Sequence, residues 1–223
     1  MELTLLNEQG VWFLLRWVHL FAGVTWIGLL YYFNFVQGEY FKEADPAAKS
    51  DVLQKLAPNA LWWFRWGAMF TFLSGALLIY LKHLTGLGIT IGAVLGTLMF
   101  LNVWLIIWPN QKIVIASTKR VAEGGEALPE AGAALAKAGL ASRTNTLFSV
   151  PMLFFMASSV HLGSIAVPVQ EVQVIALALI FGLIAALELN GIFGKTGPLT
   201  TVKGVLHSSL LLTAILYLLS EFH

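Results

Sequence analysis

The feature that most constrains this chain is a series of apolar runs, each about as long as a bilayer is thick, separated by polar stretches. The hydrocarbon core of a membrane takes roughly 20 residues of apolar helix, and its lack of water obliges each backbone amide and carbonyl to find a partner within the segment. Runs at Val11–Val36, Leu61–Leu81, Gly88–Trp108, Leu147–Ala166, Val169–Leu189 and Lys203–Phe222 meet that requirement. They predict an all-α, polytopic membrane bundle of about six transmembrane helices. Residues are 58% hydrophobic and 11% charged, and mean hydropathy is +0.79, which leaves no room for a soluble second domain. Residues 1–223 therefore read as a single transmembrane domain.

Lysine and arginine give the orientation, because segments flanked by them stay cytoplasmic. Eleven lie in or beside the first, third and fifth connections, from Lys42 to Lys203, and only Arg16 and Lys82 lie at the other end. Both termini are thus expected on the periplasmic or exterior side of the membrane. The connection Gln37–Asn59 predicts a short amphipathic helix with Val52, Leu53 and Leu56 on its apolar face. Residues 111–146 predict a cytoplasmic loop with two amphipathic surface helices, split at Glu123–Glu126 and restarted at Pro129. Pro168 suits the first turn of the fifth helix, and Pro151 kinks or begins the fourth. Gly88, Gly92 and Gly96 form a ladder of small residues that suits close helix packing, as do Gly67, Thr71, Ser74 and Gly75. The tryptophans Trp62, Trp63, Trp66, Trp104 and Trp108 suit an interfacial belt.

No cysteine is present, which excludes disulfides, thiolate metal sites and covalently attached c-type haem within these residues. Any metal or haem ligand must come from histidine, methionine or oxygen. Ionisable groups are costly inside a bilayer, so those within the runs are candidates for function. In the first helix Arg16, His19, Gly23, Ile27, Leu30 and Asn34 fall on one stripe. His19 and His161 lie in the outer halves of their helices and could ligate a haem b iron; His83 at the end of the second helix is a further candidate. Gly23 would leave space for the macrocycle, and Arg16 with Lys82 would face its propionates. The competing reading is that these histidines hydrogen-bond across helices. A second cluster, Asn34, Arg65, Asn102, Asn110, Arg143, Asn145, Glu188, Asn190 and His207, belongs to the cytoplasmic half. Within it Glu188 and His207 lie at similar depth and could either lock two helices or carry protons. His223 is terminal.

Four blocks, RWVHLFAGVTWIGLLYYFNFV from Arg16, LWWFRWGAMFT from Leu61, NVWLIIWPNQK from Asn102 and SRTNTLFSVPMLFFM from Ser142, resemble the membrane domain of the bacterial urate oxidase family PuuD. The resemblance implies a membrane oxidoreductase of purine catabolism that turns urate into 5-hydroxyisourate, with a c-type cytochrome as electron acceptor. Because the sequence ends at His223 without a cysteine, that cytochrome is expected as a separate periplasmic partner. The leading expectation is a haem b-binding oxidoreductase or electron-transfer protein with His19 and His161 as axial ligands and Glu188 with His207 managing protons. The rivals are a non-catalytic accessory subunit of a larger respiratory or oxygenase complex, and a transporter of a metal or small solute.

Overall fold

The computed structural model describes residue 5 and residues 7–222. His223 lies outside the described residues. Six long helices form the molecule: α1 (Glu8–Glu43), α2 (Pro46–Lys82), α3 (Leu87–Ala122), α4 (Ala131–Ser158), α5 (Val174–Phe193) and α6 (Val202–Ser220). All but α4 are long and apolar enough to cross a membrane by length and composition. The exception carries Lys137 and Arg143 in its first half, which dilutes an otherwise apolar helix. The fold is an all-α bundle, with no strand among the described residues.

Local chemistry sets the helix limits. The side chain of Asn7 accepts from Gly10 N at 2.9 Å and opens α1, and Thr201 Oγ1 accepts from Gly204 N at 3.0 Å and opens α6. At the far end of α2, His83 adopts a left-handed conformation with φ of 49°, and Leu84 N donates to Ile79 O at 3.2 Å, closing the last turn.

Four of the long helices extend past the apolar runs. The stretches read as connections, Gln37–Asn59 and Gln111–Thr146, are largely helical continuations of α1, α2, α3 and α4, broken only near residues 44–45 and 123–130. The helices expected there form, with the break at the expected Glu123–Glu126, but they are continuous with the long helices, because alanine-, glutamate- and lysine-rich sequence prolongs a helix already nucleated in the membrane. α4 begins sixteen residues before the expected Leu147 and ends at Ser158 instead of Ala166. Pro151 lies inside it, and Pro168 precedes a short 3-10 turn at Val169–Glu171 instead of opening α5.

α4 is the central helix, packed against α1, α3, α5 and α6. The glycine ladder of α3 packs on α4 and the connection after it: a Cβ on Gly92 would meet Met156 Cγ of α4 at 3.1 Å, and one on Gly88 would meet Ile165 Cδ1 of the fourth connection at 3.0 Å. At the α1–α2 seam, Gly67 faces Trp26 N at 3.1 Å. Leu87, Ile91, Leu95, Met99, Phe148 and Phe155 fill the core, while Phe13, Leu20, Val24 and Leu105 stand on an apolar outer surface suited to lipid.

Contacts sort the ends of the helices into two groups. Lys82 Nζ lies 3.9 Å from the Trp12 ring centroid, Leu87 N donates to Val167 O at 2.8 Å, and Ser164 Oγ donates to Glu221 Oε1 at 2.7 Å. Both ends of the chain and the second and fourth connections thus share one end of the bundle, here the terminal end. The first, third and fifth connections share the other, which holds eleven of the thirteen lysines and arginines and is here the basic end.

Candidate functional site

Each of α1, α2 and α3 contains one widened π-helical segment, at Tyr32–Gln37, Val52–Leu56 and Asn102–Ile107. In them the amide bonds reach five residues back, as in Gly38 N to Phe33 O, Ala57 N to Val52 O and Trp108 N to Val103 O. A widened turn re-aims the side chains around it, and such turns are frequent at functional sites. Here all three contribute to one cavity.

That cavity, of about 490 Å³, lies at the basic end between α1, α2, α3 and α4 and extends to Thr196 and Thr200 of the fifth connection. Its volume falls in the range of small-molecule sites, about 300–1,000 Å³. Phe33 and Phe64 form an aromatic wall, edge to face with centroids 5.5 Å apart. The polar lining comes from Asn34, Gln37, Gln111, Ser142, Arg143, Thr196 and Thr200. Among the described residues no carboxylate lines it. The Nδ2 of Asn34 is occupied, donating to Leu30 O at 2.9 Å and to Ser142 Oγ at 2.8 Å. By contrast, Gln37 Oε1 and Arg143 Nη1 are enclosed without a hydrogen-bond partner. Glu39 acts on Arg143 electrostatically, but its own carboxylate is held by Lys42 at 2.8 Å. An enclosed guanidinium nitrogen without a partner is costly, and a bound anion would remove that cost.

A second polar group sits deeper in the bundle. Asn102 Nδ2 donates to Asn145 Oδ1 at 2.9 Å and to Glu188 Oε2 at 3.1 Å, while Asn145 Nδ2 donates to Met99 O at 2.9 Å. These three residues, from α3, α4 and α5, are all buried. Sequence reading placed them in the same half of the membrane, and the structure joins them. It does not join Glu188 to His207. His207 is exposed on α6, and the partner of Glu188 is Asn102.

The remaining candidates lie toward the terminal end. His19 packs into the α1–α2 seam, where its Nδ1–H donates to Thr71 O at 2.9 Å with Ser74 Oγ at 3.3 Å. Since a carbonyl only accepts, that bond places the proton on Nδ1 and the lone pair on Nε2. The ring lies directly against α2, where a Cβ on Gly75 would meet Cε1 at 2.8 Å. Gly23 faces Thr71, whose Cγ2 would lie 3.8 Å from a Cβ there, so it serves helix packing. His161 is exposed in the turn after α4, and the surrounding turn packs on the start of α3. His83 is the exposed cap of α2, and Arg16 is exposed on α1. His19 and His161, the expected haem b ligands, have different surroundings: the hydrogen bonds of His19 are to α2, and His161 stands exposed in the turn after α4. No group of three or more metal-binding side chains occurs among the described residues.

Gln37, Gln111, Thr196 and Thr200 were not singled out from the sequence. Gln37 follows Asn34 by three residues, one helical turn on the same face, which is the signal available for it.

A shallower groove of about 280 Å³ between the end of α2 and α3 is apolar. Its threonines, Thr90 and Thr97, are bonded to their own helix at Gly86 O and Ala93 O.

No curated protein and no solved structure matches the chain. A protein-family comparison does: residues 86–190, which supply Asn102, Gln111, Arg143, Asn145 and Glu188, match the family described as urate oxidase N-terminal. This segment, from the start of α3 to near the end of α5, is similar to the urate oxidase N-terminal family and is set in an all-helical membrane bundle.

Proposed function

We propose that the protein is a multi-pass membrane oxidoreductase of the urate-oxidising type, which takes urate or a similarly flat purine anion into the cavity at its basic end. The observation that carries this reading is the enclosed, unpartnered Nη1 of Arg143 in an aromatic-walled cavity without a carboxylate. Urate is planar and anionic at neutral pH, with carbonyl and N–H groups alternating around its rim. A guanidinium forks onto such an edge with two charge-assisted bonds. Gln37 Oε1 then accepts from a ring N–H, and Phe33 and Phe64 shield the faces from water. The lysine and arginine bias makes the cytoplasm the side of entry.

Conversion to 5-hydroxyisourate removes two electrons and two protons and adds the oxygen of water. In this reading Glu188, oriented by Asn102, accepts a proton, and His207 on the outer surface has no part. The electron acceptor that the resemblance implies is a c-type cytochrome.

The test follows urate by its ultraviolet absorbance in membranes holding the full chain, with ferricytochrome c as acceptor. Urate loss coupled to cytochrome reduction, and abolished in Arg143→Gln, is expected. Saturable urate binding without any oxidation would move the protein to the transport reading, whose check is uptake into proteoliposomes. Absence of both binding and turnover would remove urate from the account.

A further inference from the structure

Beside the cavity, on the outward side of the α2–α3 seam, a group of donors has no acceptor. Phe64 and Ile107 line the cavity, so their neighbours Arg65 and Trp108, turned about 100° around their helices, face away from it. The Arg65 guanidinium lies 3.7 Å from the Trp108 ring centroid, and Lys112 Nζ lies 5.6 Å from the same ring. Trp104, four residues before Trp108 on α3, packs on Trp66, the chain neighbour of Arg65, with ring centroids 5.7 Å apart. Arg65 Nη1 and Trp104 Nε1 are both enclosed without a hydrogen-bond partner. None of the three ion pairs among the described residues includes Arg65 or Lys112.

Depth narrows the identity of the missing acceptor. Arg65 is about 25 Å along α2 from Lys82, and Trp104 is about as far along α3 from Leu87, at ~1.5 Å per residue. Both distances approach the ~30 Å thickness of the hydrocarbon core. The group therefore stands at the boundary of the basic end. An arginine that merely snorkels to the interface ends with its nitrogens in water, whereas Nη1 of Arg65 is enclosed. Exposed Trp62 and Trp63 beside it provide an apolar surface at the level where glycerol and the first acyl carbons lie.

We propose that Arg65, Trp104 and Lys112 bind the phosphate of an anionic phospholipid on the basic-end leaflet. The guanidinium and the indole N–H donate to phosphate oxygens, Lys112 adds positive charge, and the tryptophan rings hold the glycerol backbone. Free phosphate shares the headgroup chemistry but lacks the acyl chains that the ring surface would cover.

The test is native mass spectrometry of the full chain in non-ionic detergent, titrated separately with phosphatidylglycerol, phosphatidylcholine and inorganic phosphate. One phosphatidylglycerol should be retained about tenfold more tightly than phosphatidylcholine, and phosphate should not displace it. Arg65→Gln should erase that preference, and Trp104→Phe, which removes only the N–H donor and keeps most of the ring, should weaken it severalfold. Should Arg65→Gln not fold, Trp104→Phe and Lys112→Gln decide alone. Equal retention of the two lipids by the unaltered protein, or unchanged selectivity in the variants, overturns the proposal. Displacement by phosphate overturns the lipid as the source.

Discussion

The two ends of the bundle are built on different principles. At the terminal end His19 is bonded to α2, His83 caps a helix, and the Gly86–Pro168 bridge ties two connections together, while Ser158 Oγ at the end of α4 is enclosed without a partner. At the basic end three widened helical turns surround a cavity in which a guanidinium nitrogen and an amide oxygen have no partner. Among the described residues three histidines, His19, His83 and His161, belong to the closed end, whereas four of the six enclosed side-chain atoms without a partner, on Gln37, Arg65, Trp104 and Arg143, belong to the open one. Unmet hydrogen-bonding capacity is therefore the better guide to the site than residue type.

The contrast is easiest to break at Arg143. Arg143→Gln removes the charge and shortens the donor group, so urate affinity should fall by about 10- to 100-fold, the equivalent of losing a charge-assisted hydrogen bond. Thermal unfolding in detergent should barely move, since the lost nitrogen had no partner. The reverse pattern is expected on the α3–α4 seam. Gly92→Leu would drive a side chain into Met156, whose backbone N is 3.2 Å from the Cβ position. Stability should drop by about 1–3 kcal/mol, read as a lowered unfolding midpoint.

A finer separation comes from Glu188→Gln. The amide still accepts from Asn102, so stability should change by less than about 1 kcal/mol, while turnover falls if the carboxylate takes the proton. Comparing unfolding midpoints with urate turnover in the same preparation checks both halves. The smallest effect belongs to His161→Ala. An exposed turn residue of this kind should alter stability by no more than about 0.5 kcal/mol and leave urate binding intact, which an equilibrium binding curve would verify.

What was legible in the sequence follows from these physical differences. A bilayer imposes length and apolarity on whatever crosses it, so Val11–Val36 or Gly88–Trp108 announce themselves, and the glycine ladder of α3 shows its packing face directly. The polar extensions of α1 to α4 beyond the membrane were not legible, because a hydropathy reading follows only the apolar part of a helix that continues into water. That error propagated: with α4 expected to run from Leu147 to Ala166, His161 seemed to lie within the helix, whereas the helix ends at Ser158. The π segments leave no side-chain pattern, and with them the cavity went unseen. The cluster of Asn102, Asn145 and Glu188 was half legible. Helix orientation placed its members in the cytoplasmic half, but only packing could show that Glu188 meets an asparagine and not His207.

The most direct test is equilibrium binding of radiolabelled urate to the detergent-purified protein, compared with Arg143→Gln and His161→Ala. The account predicts saturable binding that is weakened at least about tenfold in Arg143→Gln and unchanged in His161→Ala. Binding that survives Arg143→Gln, or that disappears in a folded His161→Ala, would contradict it and return the site to the terminal end.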